Sequence, residues 1–181
     1  MSGHNKWSKI KHKKAATDAQ KSKIFSKHAA LIAMESRKAG GDANSPSLAA
    51  AIERAKKDSM PKDNIDRAVQ KGTGGEGGGL EEVMYEGYGP GGVAILIQAV
   101  TDNNNRTAAE IRHTFSKSGF ELGTPGSAAW AFTKQDGGYI PQNPMDLDDT
   151  TGEKLAEFIE RLEESEDITN VFTAADSPSE D

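Results

Sequence analysis

The sequence predicts an α+β protein, a small helical bundle followed by a mixed α/β domain. Three observations carry this expectation. Residues 24–72 repeat their apolar positions at helical spacing. Residues 72–79 hold six glycines in eight positions, and ordering glycine costs the most backbone entropy, so this run is expected to be a flexible linker. Beyond it the period changes, and apolar β-branched runs alternate with amphipathic helices. The expected organisation is a basic arm and three-helix domain at 1–72, a linker at 73–80, an α/β domain at 81–176 and an acidic tail at 177–181.

The arm, residues 2–23, contains Trp7 and Ile10 but no sustained apolar face, so it is expected to be extended or only partly helical. A first helix covers residues 24–38 and stops at Gly40-Gly41. Ser45 and Pro46 suit an N-cap and a first helical position, after which Leu48, Ile52 and Ala55 share a face. A third helix starts near Ser59-Met60-Pro61, buries Ile65 and Val69, and ends at Gly72. In the second half, residues 92–101 read as a central strand. Asn103-Asn104-Asn105 offer caps for a helix over about 107–117, with Gly119 as its stop. Residues 127–133 read as a second strand, and 139–147 as a third despite Pro141 and Pro144. Thr150 and Glu153 have capping-box spacing, and Leu155, Phe158, Ile159 and Leu162 follow on one helical face. Residues 168–173 close as a strand. The order β-α-β-β-α-β matches a ferredoxin-like domain, although its third strand is usually central and here carries the prolines.

Charge is divided unevenly. Residues 1–71 carry 16 Lys and Arg against 7 Asp and Glu, whereas residues 72–181 carry 6 against 21. Lys6, Lys9, Lys11, Lys13, Lys14, Lys21, Lys23 and Lys27 are opposed only by Asp18; His12 lies among them, and Trp7 offers a stacking face. Each lysine that neutralises a phosphate releases a counterion, so six of them on duplex would give a log–log salt slope of about −5. The competing account is a solvated tail, but the density of the run favours nucleic acid. Lysines grip backbone and carry little sequence information, so DNA and ribosomal RNA both fit. Arg106 and Arg112 lie by the first helix of the second half, where backbone N–H groups and a guanidinium would suit phosphate. Helix capping with a solvent-facing arginine is the commoner outcome for such a pair.

Other chemistries find little support. Cysteine is absent, which excludes disulfides and thiolate sites. His4, His12 and His28 have no ligand spacing and sit among cations, so no metal is expected, and no cofactor. Two matches to G-x-G-x-x-G, from Gly72 and from Gly87, lack the strand–turn–helix context that phosphate binding needs. No P-loop or G-x-S-x-G occurs, so an enzyme is not expected. No apolar run approaches a membrane span and no secretory signal is expected, so the cytoplasm is the expected location. The C-terminal acids fall opposite the Leu155 face as a solvated surface. A protein–protein adaptor that docks a basic partner there is the competing class.

Several longer motifs then form a resemblance. Residues 3–16 (GHNKWSKIKHKKAA), Met60-Pro61-Lys62-Asp63-Asn64-Ile65, residues 85–92 (YEGYGPGG), residues 101–107 (TDNNNRT), Phe115-Ser116-Lys117 and Leu122-Gly123 stand in the order found in the YebC/PmpR family. The chain resembles that family over most of residues 1–133 and again around 145–176. The resemblance implies a non-enzymatic regulator of gene expression, with a helical domain ahead of α/β domains. Members are described as DNA-binding transcriptional regulators. Relatives, mitochondrial ones included, act as translational activators at the ribosome during synthesis of proline-rich stretches. Family members usually carry a further α/β domain of several dozen residues between the Trp130-Ala131-Phe132 strand and the segment from Tyr139. Here six residues, 133–138, join them.

Overall fold

The computed structural model describes residues 18–74, 80–135 and 138–176. Two compact units emerge: one from the described residues up to Val83 together with Ala99–Asn104, the other from Met84–Gln98 and the described residues from Asn105 onward.

The first unit contains α1 (Asp18–Lys38), α2 (Pro46–Lys57) and α3 (Lys62–Thr73). Leu31, Ile32 and Met34 of α1 pack with Leu48, Ala51 and Ala55 of α2 and with Ile65 and Ala68 of α3. Helices of 12 residues such as α2 and α3 are marginal alone in water, so these shared apolar faces hold the bundle together. Residues 18–23, ahead of the expected start at 24, are already helical, because Lys21 and Lys23 are sound helix formers that need no apolar face once the helix is nucleated downstream. Ser45 makes no side-chain capping bond; Pro46 alone marks the start of α2. Gly72 does not end α3, which runs through Thr73 and is closed by the Gly74 N–H donating to Gln70 O at 2.9 Å. Gly72 is buried instead, where a Cβ would collide with the Ala33 carbonyl and with Ser36 Cβ of α1. Its missing side chain lets the two helices approach, and the Ser36 hydroxyl donates to Val69 O at 2.8 Å across the same contact.

The second half adds β1 (Glu81–Tyr88), β2 (Ala94–Thr101), α4 (Asn104–Lys117), β3 (Phe132–Gln135), β4 (Gly138–Pro141), α5 (Asp149–Glu163) and β5 (Ile168–Thr173). The α+β class and the β-α-β-β-α-β order, carried by β2 to β5 with α4 and α5, are as expected. The strands are distributed differently from a single ferredoxin-like sheet. One sheet has the order β1-β2-β5, and β3 and β4 form a separate antiparallel pair with Phe132 opposite Pro141. β1, absent from the sequence-based expectation, occupies the flank of β2 where the proline-bearing strand was expected. That exchange removes the conflict: Pro141 and Pro144 end a short hairpin arm and interrupt no central ladder. On the other flank, Ala174 N–H donates to Ala94 O at 2.9 Å and the Asn170 amide donates to Gln98 Oε1 at 2.7 Å, so β5 runs antiparallel to β2.

β2 starts at Ala94 rather than Gly92, since Pro90–Gly92 form a 3-10 turn in which Gly91 (φ 75°) and Gly92 (φ 74°) take the left-handed conformation. α4 begins at Asn104. α5 is capped by Asp148, whose carboxylate accepts the Thr151 N–H at 2.7 Å; Thr150 does not serve. That bond holds the Asp148 carboxyl below its ordinary value. The core of this unit gathers on Phe158 of α5, which meets Phe115 of α4 edge-on at 5.0 Å and Phe120 at 5.5 Å, over Ile95 and Ile97 of β2. Phe158→Ala should cost about 3–5 kcal/mol, read as a lower denaturant midpoint with an unchanged slope.

Candidate nucleic-acid interface

The first two turns of α1 are exposed on every side from Asp18 to Ile24, with Lys21 and Lys23 among them; Lys27 is half-buried. Lys23 and Lys27 are four residues apart and share a face, while Lys21 projects nearly opposite. Lys6, Trp7, Lys9, Lys11, His12, Lys13 and Lys14 lie outside the described residues. Farther along this unit, α1 and α3 enclose an open groove of about 570 Å3, floored by Phe25, Ala29, Ala33, Met60 and Ala68 with Arg67 and Lys71 beside them. The Arg67 guanidinium donates to Asn64 Oδ1 at 2.6 Å and to Asp63 O at 3.3 Å, which fixes it along α3. At the end of α2, His28 and the Asp58 carboxylate meet at 2.6 Å.

In the second unit the structure does not bring Arg106 and Arg112 to one point. Six residues separate them, about 9 Å along α4 and a third of a turn around it. Arg112 is exposed. The Arg106 guanidinium donates to Asp167 at 3.2 Å, and Thr107 Oγ1 donates to the same carboxylate at 2.8 Å. Ser165 Oγ donates to Glu110 Oε2 at 3.0 Å. The first turns of α4 are thereby tied to the turn preceding β5.

A third cluster was not anticipated. Glu86 of β1 is buried, and its carboxylate accepts three backbone N–H groups: Gly126 at 2.7 Å, Ala128 at 2.9 Å and Ala129 at 2.7 Å. Burial pushes its carboxyl up, but the three bonds outweigh burial and hold it below the ordinary 4.5. The expectation of a strand over 127–133 is corrected at this point. The amides of 126, 128 and 129 face a carboxylate instead of a neighbouring strand, so Ala129–Ala131 form a 3-10 turn and pairing begins only at Phe132. On the bound loop the Tyr88 hydroxyl donates to Ser127 O at 2.6 Å. The Trp130 indole N–H donates to Tyr88 Oη at 3.0 Å and to Ser127 O at 2.9 Å. One signal in the sequence pointed this way: a lone acid inside the glycine- and tyrosine-rich stretch 85–92.

Residues 5–75 match the family described as TACO1/YebC protein N-terminal domain, and residues 80–137 match TACO1/YebC second and third domain. A protein of Desulfatibacillum aliphaticivorans, named "Probable transcriptional regulatory protein", is 51% identical over 180 residues, covering 97% of this chain and 72% of its own. The chain belongs to the TACO1/YebC family. A relative of the same name from Syntrophus aciditrophicus is 39% identical over 243 aligned positions, spanning 99% of this chain and 97% of the relative. This chain has 181 residues, so several dozen positions of that TACO1/YebC relative have no counterpart in it. The match to the second and third domains ends at residue 137, between β3 and β4 in the sequence, where the further domain was expected to be missing. The crystal structure of a conserved hypothetical protein from Aquifex aeolicus shares the fold, with a TM-score of 0.79, 32% identity and coverage of 96% of this chain and 98% of that one. Among the described residues of this TACO1/YebC chain, no cluster of His, Asp and Glu suits a metal, and no helix is long and apolar enough to cross a membrane.

The Glu86 bonds set a pH dependence. The folded-state carboxyl titrates below the unfolded 4.5, so its stabilisation is complete above about pH 4.5 and is lost as the pH falls through the folded value. Glu86→Gln turns an amide NH2 toward the backbone donors. It should destabilise the fold by about 1–3 kcal/mol at neutral pH. Unfolding followed from pH 7 to pH 3 should then show a shallower acid loss in the variant than in the wild type.

Proposed function

We propose that this chain is a non-enzymatic regulator of gene expression that acts by binding nucleic acid through residues 6–27, with transcriptional control at DNA as its role and the cytoplasm as its place of action. One observation carries the reading: it belongs to a family whose members, at up to about half sequence identity in those compared, bear the name of transcriptional regulators. The charge distribution supports it. Residues 1–71 have a net charge of +9, within a chain whose total is −6. A cationic module in an anionic protein is suited to polyanions, and the acidic remainder limits indiscriminate adhesion. Lys21 and Lys23 on the exposed turns of α1 continue the lysine series of the arm, and Arg67 and Lys71 add cations on α3. In this proposal the arm holds phosphate, the helical unit positions the arm, and Arg106 and Arg112 add contacts from α4.

Replacing Lys9, Lys11, Lys13 and Lys14 together with glutamine should cut affinity for duplex DNA sharply and make the log–log salt slope shallower by about 3–4. Titrations at several salt concentrations measure both quantities, and an unchanged slope would overturn the assignment of the arm. Crosslinking in cells followed by sequencing identifies the target. Promoter-proximal DNA supports transcriptional control, whereas reads concentrated at one site of ribosomal RNA would move the activity to translation.

A further inference from the structure

Trp130 is 65% exposed, the most exposed of the large apolar side chains among the described residues. An exposed aromatic ring by itself is ordinary. This one is anchored: its only polar atom donates to both Tyr88 Oη and Ser127 O, and Tyr88, itself 37% exposed, donates to that same carbonyl. The carbonyl belongs to the loop whose amides at 126, 128 and 129 are held by Glu86. The hydrogen-bonding need of the indole N–H is therefore met within the protein, and the exposed remainder of the side chain is apolar aromatic surface. A ring already fixed in place loses little freedom when a flat partner stacks on it.

The surroundings define the partner. Residues 124–126 before the turn and 133–135 after it are exposed and are small, polar or charged, and Ile140, 46% exposed opposite Thr133, is the one large apolar side chain exposed on the adjoining strand β4. A stable protein interface needs on the order of 800 Å2 from each partner, far more than two rings present. Along the sequence, residues 83–135 hold four Lys and Arg against four Asp and Glu, so the stretch that carries the ring has no net charge, and the excess acid of the second half lies mainly beyond it. We propose that Trp130, braced by Tyr88, is a stacking platform for an unpaired nucleobase of RNA or DNA, a second contact besides the lysine arm. This rests on the nucleic-acid reading above and extends it from backbone to base.

The chain has two tryptophans, so the difference in emission between wild type and Trp130→Phe isolates the Trp130 indole. Titrating the full chain with short oligouridine and oligothymidine should quench that emission saturably; quenching by either strand supports the platform and shows which sugar it accepts. In the wild-type background, with binding read by anisotropy of a labelled oligonucleotide, Trp130→Ala should weaken affinity at least about five-fold while leaving the salt slope unchanged. Tyr88→Phe keeps the ring but removes its bonds, and should give a smaller loss. Trp130→Ala binding single strands as tightly as wild type, with lysine variants still impaired, would overturn the platform and leave the nucleic-acid reading standing. Absence of binding by wild type to any nucleic acid at low salt would overturn both. A loss in Trp130→Ala accompanied by conversion of a dimer to a monomer in sedimentation would assign the ring to self-association instead, and so overturn the platform.

Discussion

The second unit depends on one buried charge. Glu86 gives up its hydration, and three backbone N–H groups from residues 126–129 replace it. A carboxylate accepting this many bonds can remain ionised in a buried position, while any donor left without it would be a buried polar group lacking its partner. The consequence reaches well past the ion. With its amides committed to Glu86, the segment cannot pair as a strand until Phe132, so β3 and β4 form their own short pair and β1 takes the vacant flank of β2. The late start of β3 and the position of the exposed Trp130 both go with that commitment.

Packing supports the same arrangement. Gly87 lies beside the ring of Phe115, where a Cβ would meet Cε1 at 2.6 Å, and Gly89 lies beside Ile95 and Phe158. The glycines flanking Tyr88 are thus places where β1 closes onto an aromatic core. The stretch 85–92, which looked like a broken dinucleotide-binding motif, supplies a strand end, a buried acid and a left-handed turn, none of it directed at phosphate. Gly72 has an equivalent role in the helical unit, where a glycine expected to stop a helix allows two helices to touch. In both units a residue type usually read as punctuation acts through its lack of a side chain.

Under the proposed function the two units offer a polyanion different surfaces. The helical unit contributes charge: lysines on the exposed turns of α1 and two cations on α3. The α/β unit joins Arg106 to Asp167 at the base of α4, leaves Arg112 exposed, and contributes an aromatic surface at Trp130. Electrostatic capture and base stacking are separable in free energy, since only the first depends steeply on salt.

From sequence alone came the α+β class, the helical elements, β2 and β5, the amphipathic face of α5, the charge asymmetry and the family. These rest on local periodicity and composition, which act between residues close along the chain. Three things came only with tertiary structure: the existence of β1, the division into two sheets, and the Glu86–Tyr88–Trp130 cluster. β1 and the two sheets are set by backbone pairing, and the cluster ties residues 86 and 88 to a loop about forty positions on through its backbone N–H groups and a carbonyl, groups that look the same in every residue. Val83, Met84 and Tyr85 do not alternate with polar neighbours because the acid beside them points inward, so the periodicity that reveals other strands is missing from β1. A buried ion bound to a distant loop writes no pattern into neighbouring residues; it becomes visible only when the chain has closed around it.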